Sequence, residues 1–252
     1  FNNKKTQLNI RARHRTFQCI ASNQAFERSE PIKKGKQDMA KKEVKEIKIP
    51  QIPVNTVQVR ITGDSDLILN RMNRRNKQDM LDKQANRPKN TEAHNDWEDA
   101  ATALHWNIPV GEIETEEDYA WLFDNGKPCI SAFGLLKSFG QTVTRFGLDS
   151  KGTIFTANVQ VTAEDGLIPI EYTEHVLDEK LLPSNTPGRT PVRSLQNRFL
   201  GWSAVLTIKY VDNGQFSLEQ LLQIIGLSGF GIGIGSGRTT GYGRYHIESA
   251  WQ

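Results

Sequence analysis

Apolar residues recur at every second position in two stretches of the chain. Val57, Val59 and Ile61 share one face of the stretch from Val54 to Thr62, and this period of two is that of a half-buried strand. The stretch from Trp202 to Val211 is rich in apolar and β-branched residues and is followed by an Asp-Asn-Gly turn sequence. The pattern therefore predicts two long strands.

Longer apolar periods predict helices. Residues 71–106 fit two helices on either side of Arg87-Pro88. The last helix is predicted over residues 217–226, where a serine can cap the N-terminus and a glutamine three residues later completes a capping box. Residues 131–144 fit a further helix, and its apolar positions are Phe133, Leu136 and Phe139.

The remaining segments are shorter. Residues 153–161 and 167–170 have the β-branched character of strands, and residues 243–248 alternate again. Residues 171–200 are interrupted by three prolines and a glycine, which favours irregular structure. The acidic run between Glu112 and Asp124 is typical of a solvated face or a loop.

The order of these segments predicts the fold class. It is strand, helical insertion, helix, strand, loop, strand, helix, glycine-rich loop and strand, which is typical of an α+β protein of the ferredoxin-like (RRM-like) type. In this arrangement an antiparallel sheet carries its helices on one face. We expect a domain over residues 47–252 with its helical insertion at about residues 71–126, preceded by a basic, disordered tail over residues 1–46.

A glycine-rich stretch runs from Ser228 to Ile247 and contains seven glycines. Each glycine would cost about 1 kcal/mol in a helix, so the stretch predicts a loop that uses positive φ and exposes backbone N–H groups. It lacks the Lys-Ser/Thr pair of a Walker loop, and it follows a helix, whereas a dinucleotide-binding loop precedes one. A tight packing element between helix and strand is the structural alternative.

This stretch resembles the C-terminal glycine-rich loop of the RAMP superfamily, the ferredoxin-like RNA-binding proteins of CRISPR effector complexes. The segment Lys127–Lys137 is similar, more weakly, to the helix start of the backbone subunits of that superfamily, although it lacks their Pro-Gly. The chain also resembles proteins encoded by phages, so we expect a phage-encoded relative. The loop likeness covers about a tenth of the chain and is carried by Gly231, Gly233, Gly235, Gly237, Arg238, Gly241, Gly243 and Arg244.

The resemblance implies a protein that holds single-stranded RNA or DNA, with RNA preferred, by its phosphodiester backbone and without catalysis. Amides of the glycine stretch would cradle phosphates, while basic residues and Tyr242 or Tyr245 would supply charge and a stacking face. We also expect self-association into a filament or a multi-subunit complex. The predicted nucleic-acid-binding residues are Arg71, Arg74, Arg75, Lys77, Lys137, Arg189, Arg193, Arg198, Gly233, Gly235, Gly237, Arg238, Gly241, Tyr242, Gly243 and Arg244.

The charge distribution keeps a different role open. The net charge of the 252-residue chain is +3, but residues 1–49 hold thirteen basic and five acidic side chains, which leaves the rest at −5. An acidic body is weaker evidence for nucleic acid than a basic one, so a structural or assembly role without nucleic acid stays open. Met39-Ala40-Lys41 resembles a translation start, so residues 1–38 are either a leader or upstream extension or a basic arm that binds nucleic acid.

Catalytic chemistry has few candidates in the sequence. Cys19 and Cys129 fit neither a zinc site nor a disulfide framework, no pair of the five histidines has metal-ligand spacing, and we expect neither metal nor cofactor. A metal-independent endoribonuclease of the same fold is the enzymatic alternative, with His175 or His246 as general base. No apolar run reaches the roughly 18 residues of a membrane span, so we expect a cytoplasmic protein of a bacterial or phage-infected cell.

Overall fold

The computed structural model describes residues 51–88, 95–148, 150–182, 192–212 and 217–252. The predicted tail over residues 1–46 lies outside this part of the chain. The strands are Val54–Gly63 (β1), Leu67–Leu69 (β2), His105–Trp106 (β3), Pro128–Ser131 (β4), Val159–Thr162 (β5), Leu167–Pro169 (β6), Glu174–Leu182 (β7), Val192–Leu200 (β8), Ser203–Val211 (β9) and Tyr245–Trp251 (β10). The helices are Arg74–Gln84 (α1), Asp96–Thr102 (α2), Glu116–Asn125 (α3), Ala132–Arg145 (α4), Gly152–Asn158 (α5) and Leu218–Gly231 (α6).

A four-stranded antiparallel sheet in the order β10-β1-β9-β5 organises the fold. Along β1 and β9, every second side chain is buried on one face of this sheet, and the side chains between them lie on the opposite, more exposed face. The two strands predicted from alternation are therefore present, and their period of two marks the core side of the sheet. Across these strands the buried side chains pair as Val57↔Ile208, Val59↔Leu206 and Ile61↔Ala204.

Helices α4 and α6 pack against each other and against this sheet through one continuous apolar core. Helix α4 is capped at its N-terminus by Ser131, whose Oγ accepts from the N–H of Gly134 at 3.3 Å. Helix α6 begins with the predicted capping box of Ser217 and Gln220. Both helix starts are thus determined by local side-chain hydrogen bonds to the backbone.

A buried polar contact joins the two helices to the segment that follows α6. Ser138 Oγ of α4 lies 2.8 Å from Ser228 Oγ of α6 and donates to the carbonyl oxygen of Gly233 at 3.1 Å. Ser138 and Ser228 are both buried. Because a buried hydroxyl needs a partner, the two serines and the Gly233 carbonyl satisfy one another where α4 and α6 meet.

The prediction of irregular structure over residues 171–200 is wrong, because β7 and β8 pair there as an antiparallel hairpin. Together with β2 they form a three-stranded sheet in the order β2-β8-β7. Cross-strand ion pairs take the place of a clean apolar alternation. They join Arg193 to Glu179 at 2.7 Å and Arg198 to Asp178 at 3.3 Å.

Residues 153–158 form helix α5, where the β-branched sequence predicted a strand. Only Val159–Thr162, at the end of that stretch, is a strand. Gly152 lies against the carbonyl oxygen of Gly140 in α4, and Phe155 is fully buried. Close packing against α4 therefore overrides the strand propensity of these residues.

The acidic run predicted as a solvated face or loop contains helix α3. Thr115 and Asp118 form a capping box at its start, and Tyr119 and Leu122 are buried. Helix α2 ends at Thr102 instead of continuing to residue 106, because β3 pairs with β4 in the third sheet, β3-β4-β6. The predicted α+β class with antiparallel sheets is confirmed. None of the described helices combines the length and hydrophobicity needed to cross a bilayer.

Candidate nucleic-acid interface

The glycine loop, which we define as residues 232–244, begins later than the sequence predicts. Helix α6 continues through Gly229 to Gly231, although the glycine-rich stretch starts at Ser228. Gly229 lies against the carbonyl oxygen of Tyr245 in β10. A glycine is needed there because no side chain fits between the helix and the strand, so the helical part of the stretch serves packing.

The glycine loop folds onto itself and onto β2. The N–H of Ile234 donates to the carbonyl of Gly243 at 2.9 Å, and the N–H of Ser236 donates to the carbonyl of Ile68 at 2.8 Å. The N–H of Gly243 donates to the carbonyl of Asp66 at 2.8 Å. These internal bonds use much of the amide cradle that the sequence predicted for phosphates.

The glycines of the loop divide into buried and exposed positions. Gly243 has a φ of 68°, and a Cβ there would overlap the carbonyl oxygen of Ile234. Gly233 and Gly243 are buried, so they shape the loop and do not form its surface. Gly235, Gly237 and Gly241 are exposed, and only these three can come close to a ligand.

A groove of about 290 Å³ lies between the glycine loop, the end of β2 and the first turns of α4. We call it the glycine-loop groove. It brings together three predicted residues, Lys137, Gly235 and Arg238. The other lining residues are Leu69, Asn70, Ala103, His105, Cys129, Ile130, Ser131, Gly134, Leu135, Ile234 and Ser236.

Lys137 and Arg238 supply the uncompensated charge of the glycine-loop groove. In the part of the chain that the structure describes, neither side chain forms an ion pair or a hydrogen bond. Lys137 is exposed and Arg238 is half-buried. Two unpaired cations along one concave surface favour the binding of an anion.

A second groove of about 390 Å³ meets the first at His105, which lines both. We call it the α1 groove, because Arg71, Arg74 and Lys77 at the start of α1 line it. Arg74 is paired with Glu98 at 2.9 Å. Lys77 is exposed and has no ion pair among the described residues. Arg71 donates to the carbonyl of Thr102 and to His105 but likewise has no carboxylate partner among the described residues, so of these three predicted residues Arg74 alone is compensated.

His105 is held in one protonation state where the two grooves meet. Arg71 Nη1 lies 2.9 Å from His105 Nδ1. Because a guanidinium only donates, Nδ1 accepts and the neutral ring carries its proton on Nε2. Burial, together with the charge of Arg71, lowers the pKa of His105. At neutral pH the ring is therefore an uncharged donor through Nε2.

The other predicted arginines do not line the grooves. Arg193 contacts both Asp96 and Glu179 at 2.7 Å, and Arg198 is paired with Asp178. Carboxylates of the same fold therefore compensate both charges. Neither arginine lines one of the two grooves, so the structure does not bring them into the predicted channel. Arg75, on α1, is outside the lining of either groove, and Arg189 lies outside the described residues.

Residues at the end of the glycine loop support it from within. Arg244 Nη2 donates to the carbonyl of Arg238 at 3.2 Å, and its Nη1 is buried. Lys180 Nζ lies 4.9 Å from the ring centroid of Tyr242. Tyr245 is only 1% exposed. A base therefore cannot stack on Tyr245, and Lys180 occupies one face of Tyr242.

The two histidines predicted as general bases lie away from both grooves. His175 Nε2 donates to Asn197 Oδ1 at 3.0 Å, and its ring stacks on Phe123 at 4.4 Å between centroids. His246 Nδ1 lies 2.6 Å from an oxygen of Asp64 at an exposed position. His175 is thus part of the aromatic core, and His246 is hydrogen-bonded to Asp64 at the surface.

His175 makes the free energy of unfolding depend on pH. Burial lowers its pKa below the ordinary value of 6.5, so the unfolded chain binds a proton that the native state does not. The free energy of unfolding should therefore fall as the pH drops below about 6.5, by at most about 1.4 kcal/mol per pH unit for this one group. Urea unfolding at a series of pH values measures the slope.

The matched variant for this prediction is His175→Gln, which keeps an N–H donor but cannot titrate. It should be less stable than the parent and show a flatter pH dependence. His105, whose pKa is also lowered, accounts for a remaining slope of the same sign. An unchanged slope in His175→Gln would contradict the assignment to this buried ring.

Sequence reasoning missed Asn70, His105 and Ser131 as groove residues. His105 was placed in a helix, whereas its pairing with Cys129 across β3 and β4 puts it in the groove. The local sequence holds no signal for such a pairing, because the two strands are only two and four residues long. The weak likeness over Lys127–Lys137 was the one sequence signal that included Ser131.

The structure gives little support for metal or thiol chemistry. Within the described ranges, no group of three or more His, Cys, Asp or Glu side chains is arranged to hold a metal ion. Cys129 lines the glycine-loop groove, but burial raises the pKa of its thiol to about 11. The thiol therefore stays protonated, and a poor nucleophile, at neutral pH.

Comparison with known proteins finds similarity only among solved structures. No protein-family model matches the chain, and no curated protein sequence matches it. A chain in the cryo-EM structure of the type III-B Cmr-beta bound to cognate target RNA is similar with a TM-score of 0.46 and 11% identity, over 79% of this chain and 60% of that chain. Cmr6 from Pyrococcus furiosus, in a crystal structure, is similar with a TM-score of 0.35 and 10% identity, over 78% of this chain and 100% of that chain. These values do not place the chain in a family.

Proposed function

We propose that this chain is a RAMP-like protein of the ferredoxin-like type that binds single-stranded nucleic acid, RNA in preference to DNA, without cleaving it. The elements β1, α4, β5, β9, α6 and β10 follow the pattern β-α-β-β-α-β, and their sheet has the order β10-β1-β9-β5. The glycine loop connects α6 to β10, as the resemblance implies. An origin in a phage genome stays a prediction from the sequence.

The observation that carries the proposal is the pair of unpaired cations in the glycine-loop groove. Lys137 and Arg238 come from distant parts of the sequence and converge on one concave surface. The groove continues past His105 to Lys77 in the α1 groove. A row of cations without carboxylate partners matches a phosphodiester chain, which carries one negative charge per nucleotide.

The dimensions and polar groups of the groove favour a single strand of RNA. A volume of about 290 Å³ is that of a small-molecule pocket, so it suits one nucleotide unit better than a duplex. Asn70, Ser131 and the Nε2–H of His105 add neutral hydrogen-bonding groups. Such groups can contact the 2′-hydroxyl that distinguishes RNA from DNA.

The test is the affinity of the full chain for a labelled single-stranded RNA of about 12 nucleotides, compared with DNA of the same sequence and with the RNA duplex. We expect the single-stranded RNA to bind most tightly, and its affinity to fall as salt rises, by about 0.7 in the log–log slope for each phosphate contact. Equal affinity for single strand and duplex would contradict the proposed groove. Absence of binding at low salt would leave the structural or assembly role.

The same samples test the endoribonuclease alternative. The candidate general base for that alternative is now His105, the neutral histidine that lines the same groove as Lys137 and Arg238. We expect the RNA to stay intact during long incubation with a chelator. Cleavage that persists in chelator and disappears in His105→Gln would replace the binding function by the enzymatic one.

A further inference from the structure

A large aromatic side chain close to the glycine-loop groove is left mostly exposed to solvent. Phe133, the second residue of α4, is 74% exposed. Among the described residues it contacts no other ring and no cation. The sequence placed it on the apolar face of its helix, but Leu135 and Phe139 occupy the core instead.

Exposure alone would not distinguish Phe133 from an ordinary surface residue; its position does. Phe133 and Lys137 are one helical turn apart and therefore lie on the same face of α4, with Cβ atoms about 5–6 Å apart. Ser131, Gly134 and Lys137, which surround Phe133 in sequence, all line the groove, and Phe133 itself lies just outside that lining. Gly134 carries no side chain, so nothing at that position separates the ring from the groove.

Phe133 can also supply the aromatic ring for base stacking, which the predicted residues Tyr242 and Tyr245 do not offer. Binding of a single strand commonly combines cations with an aromatic ring on which a base stacks. Lys180 covers one face of Tyr242, and Tyr245 is buried. Of these three described rings, Phe133 is the one left open to solvent, on the same face of α4 as the unpaired Lys137.

We propose that Phe133 is a base-stacking residue, with one base of the bound strand on its ring and the neighbouring phosphate at Lys137. This inference rests on the proposed function and narrows its ligand to strands with unpaired bases. The groove cations would still attract a phosphodiester chain that lacks bases. Phe133 adds affinity only when a base is present.

The experiment compares two oligonucleotides of equal length and charge, one with bases and one with abasic sites throughout. Phe133→Ala should bind the base-containing strand about 5- to 150-fold more weakly, the range of a single stacking contact. Its affinity for the abasic strand should change less than about twofold. Lys137→Ala should weaken the binding of both strands, because a phosphate contact does not depend on the base.

Phe230→Ala is the matched control, since Phe230 is 77% exposed and lies at the end of α6. Its neighbour Gly231 lies against Phe146, which follows the C-terminus of α4. That end is thirteen residues from Phe133, or about 20 Å along the helix. We expect Phe230→Ala to bind both oligonucleotides like the parent.

Phe133→Trp supplies a second readout that a merely structural role would not move. Its affinity should match the parent, and the added indole fluorescence, taken as the difference from the parent, should be quenched by the base-containing strand and not by the abasic one. Equal losses for both strands in Phe133→Ala would overturn stacking, as would unchanged affinity. Unchanged affinity with an altered oligomeric mass would assign Phe133 to a protein interface. Failure of the parent to bind any oligonucleotide would overturn the proposed function itself.

Discussion

Gly229→Val should shift the unfolding transition of the described domain to a much lower urea concentration. Gly229 faces β10 from α6, and a Cβ at this position would overlap the carbonyl oxygen of Tyr245 and approach its fully buried ring. The obstacle is backbone, which cannot rotate away as a side chain can. Separating helix and strand would also break the buried contact between Ser138 and Ser228.

The free energy of unfolding should fall by about 4 kcal/mol or more, which is exceptional for one substitution. This is a large part of the 5–15 kcal/mol by which domains are ordinarily stable. Urea unfolding followed by circular dichroism measures it. Gly226→Ala is the matched control, because it lies one turn earlier in the same helix and an added Cβ would meet nothing within 4 Å. It should raise the free energy of unfolding by about 1 kcal/mol. A Gly229→Val chain that unfolds at the urea concentration of the parent would contradict the packing.

Removing both Lys137 and Arg238 should nearly eliminate binding in the grooves. A hydrogen bond to a charged group contributes about 1.5–3 kcal/mol, so the double alanine variant should lose at least about 100-fold in affinity for single-stranded RNA at low salt. Its log–log salt slope should be smaller than that of the parent by about 1.4, for two lost phosphate contacts. Fluorescence anisotropy across a salt series gives both quantities from one preparation.

Lys209→Ala removes one positive charge, as each half of the double variant does, from the exposed face of the central sheet, where Lys209 alternates with the buried Ile208 and Tyr210. Lys209→Ala should leave both the affinity for single-stranded RNA and the log–log salt slope close to those of the parent. This control matters because residues 1–49 carry a net charge of +8 and can bind any polyanion. If Lys137→Ala or Arg238→Ala alone behaves like Lys209→Ala, the charge of the whole chain, and not the grooves, causes the binding.

Some parts of this protein followed from the sequence because their signals are local. The alternation of β1 and β9 reports which side of each strand is buried, and it holds in the structure. The start of α6 was identified by its capping box, which involves residues three apart. The α+β class follows from such elements and their order.

The errors occurred where packing between distant segments overrode a local preference. Helix α5 carries a strand-like sequence and is helical because Gly152 and Phe155 pack closely against α4. The β7–β8 hairpin lacks clear alternation because ion pairs such as Arg193–Glu179 join its strands. Neither the packing of α5 on α4 nor the ion pairs of the hairpin can be read from residues that are neighbours in the sequence.

The candidate site shows the same division between local and long-range information. The sequence by itself indicated a positive-φ loop over the glycine stretch, which holds for the part after Gly231, and it included Lys137 and Arg238 among the predicted nucleic-acid-binding residues. Only the tertiary structure decided which charges are free, because the carboxylates that compensate Arg74, Arg193 and Arg198 come from other elements. It also decided that His105 joins the groove, through strand pairing, and that Phe133 stays outside the core. Charge compensation and burial depend on which distant segments meet, and a linear sequence does not state that.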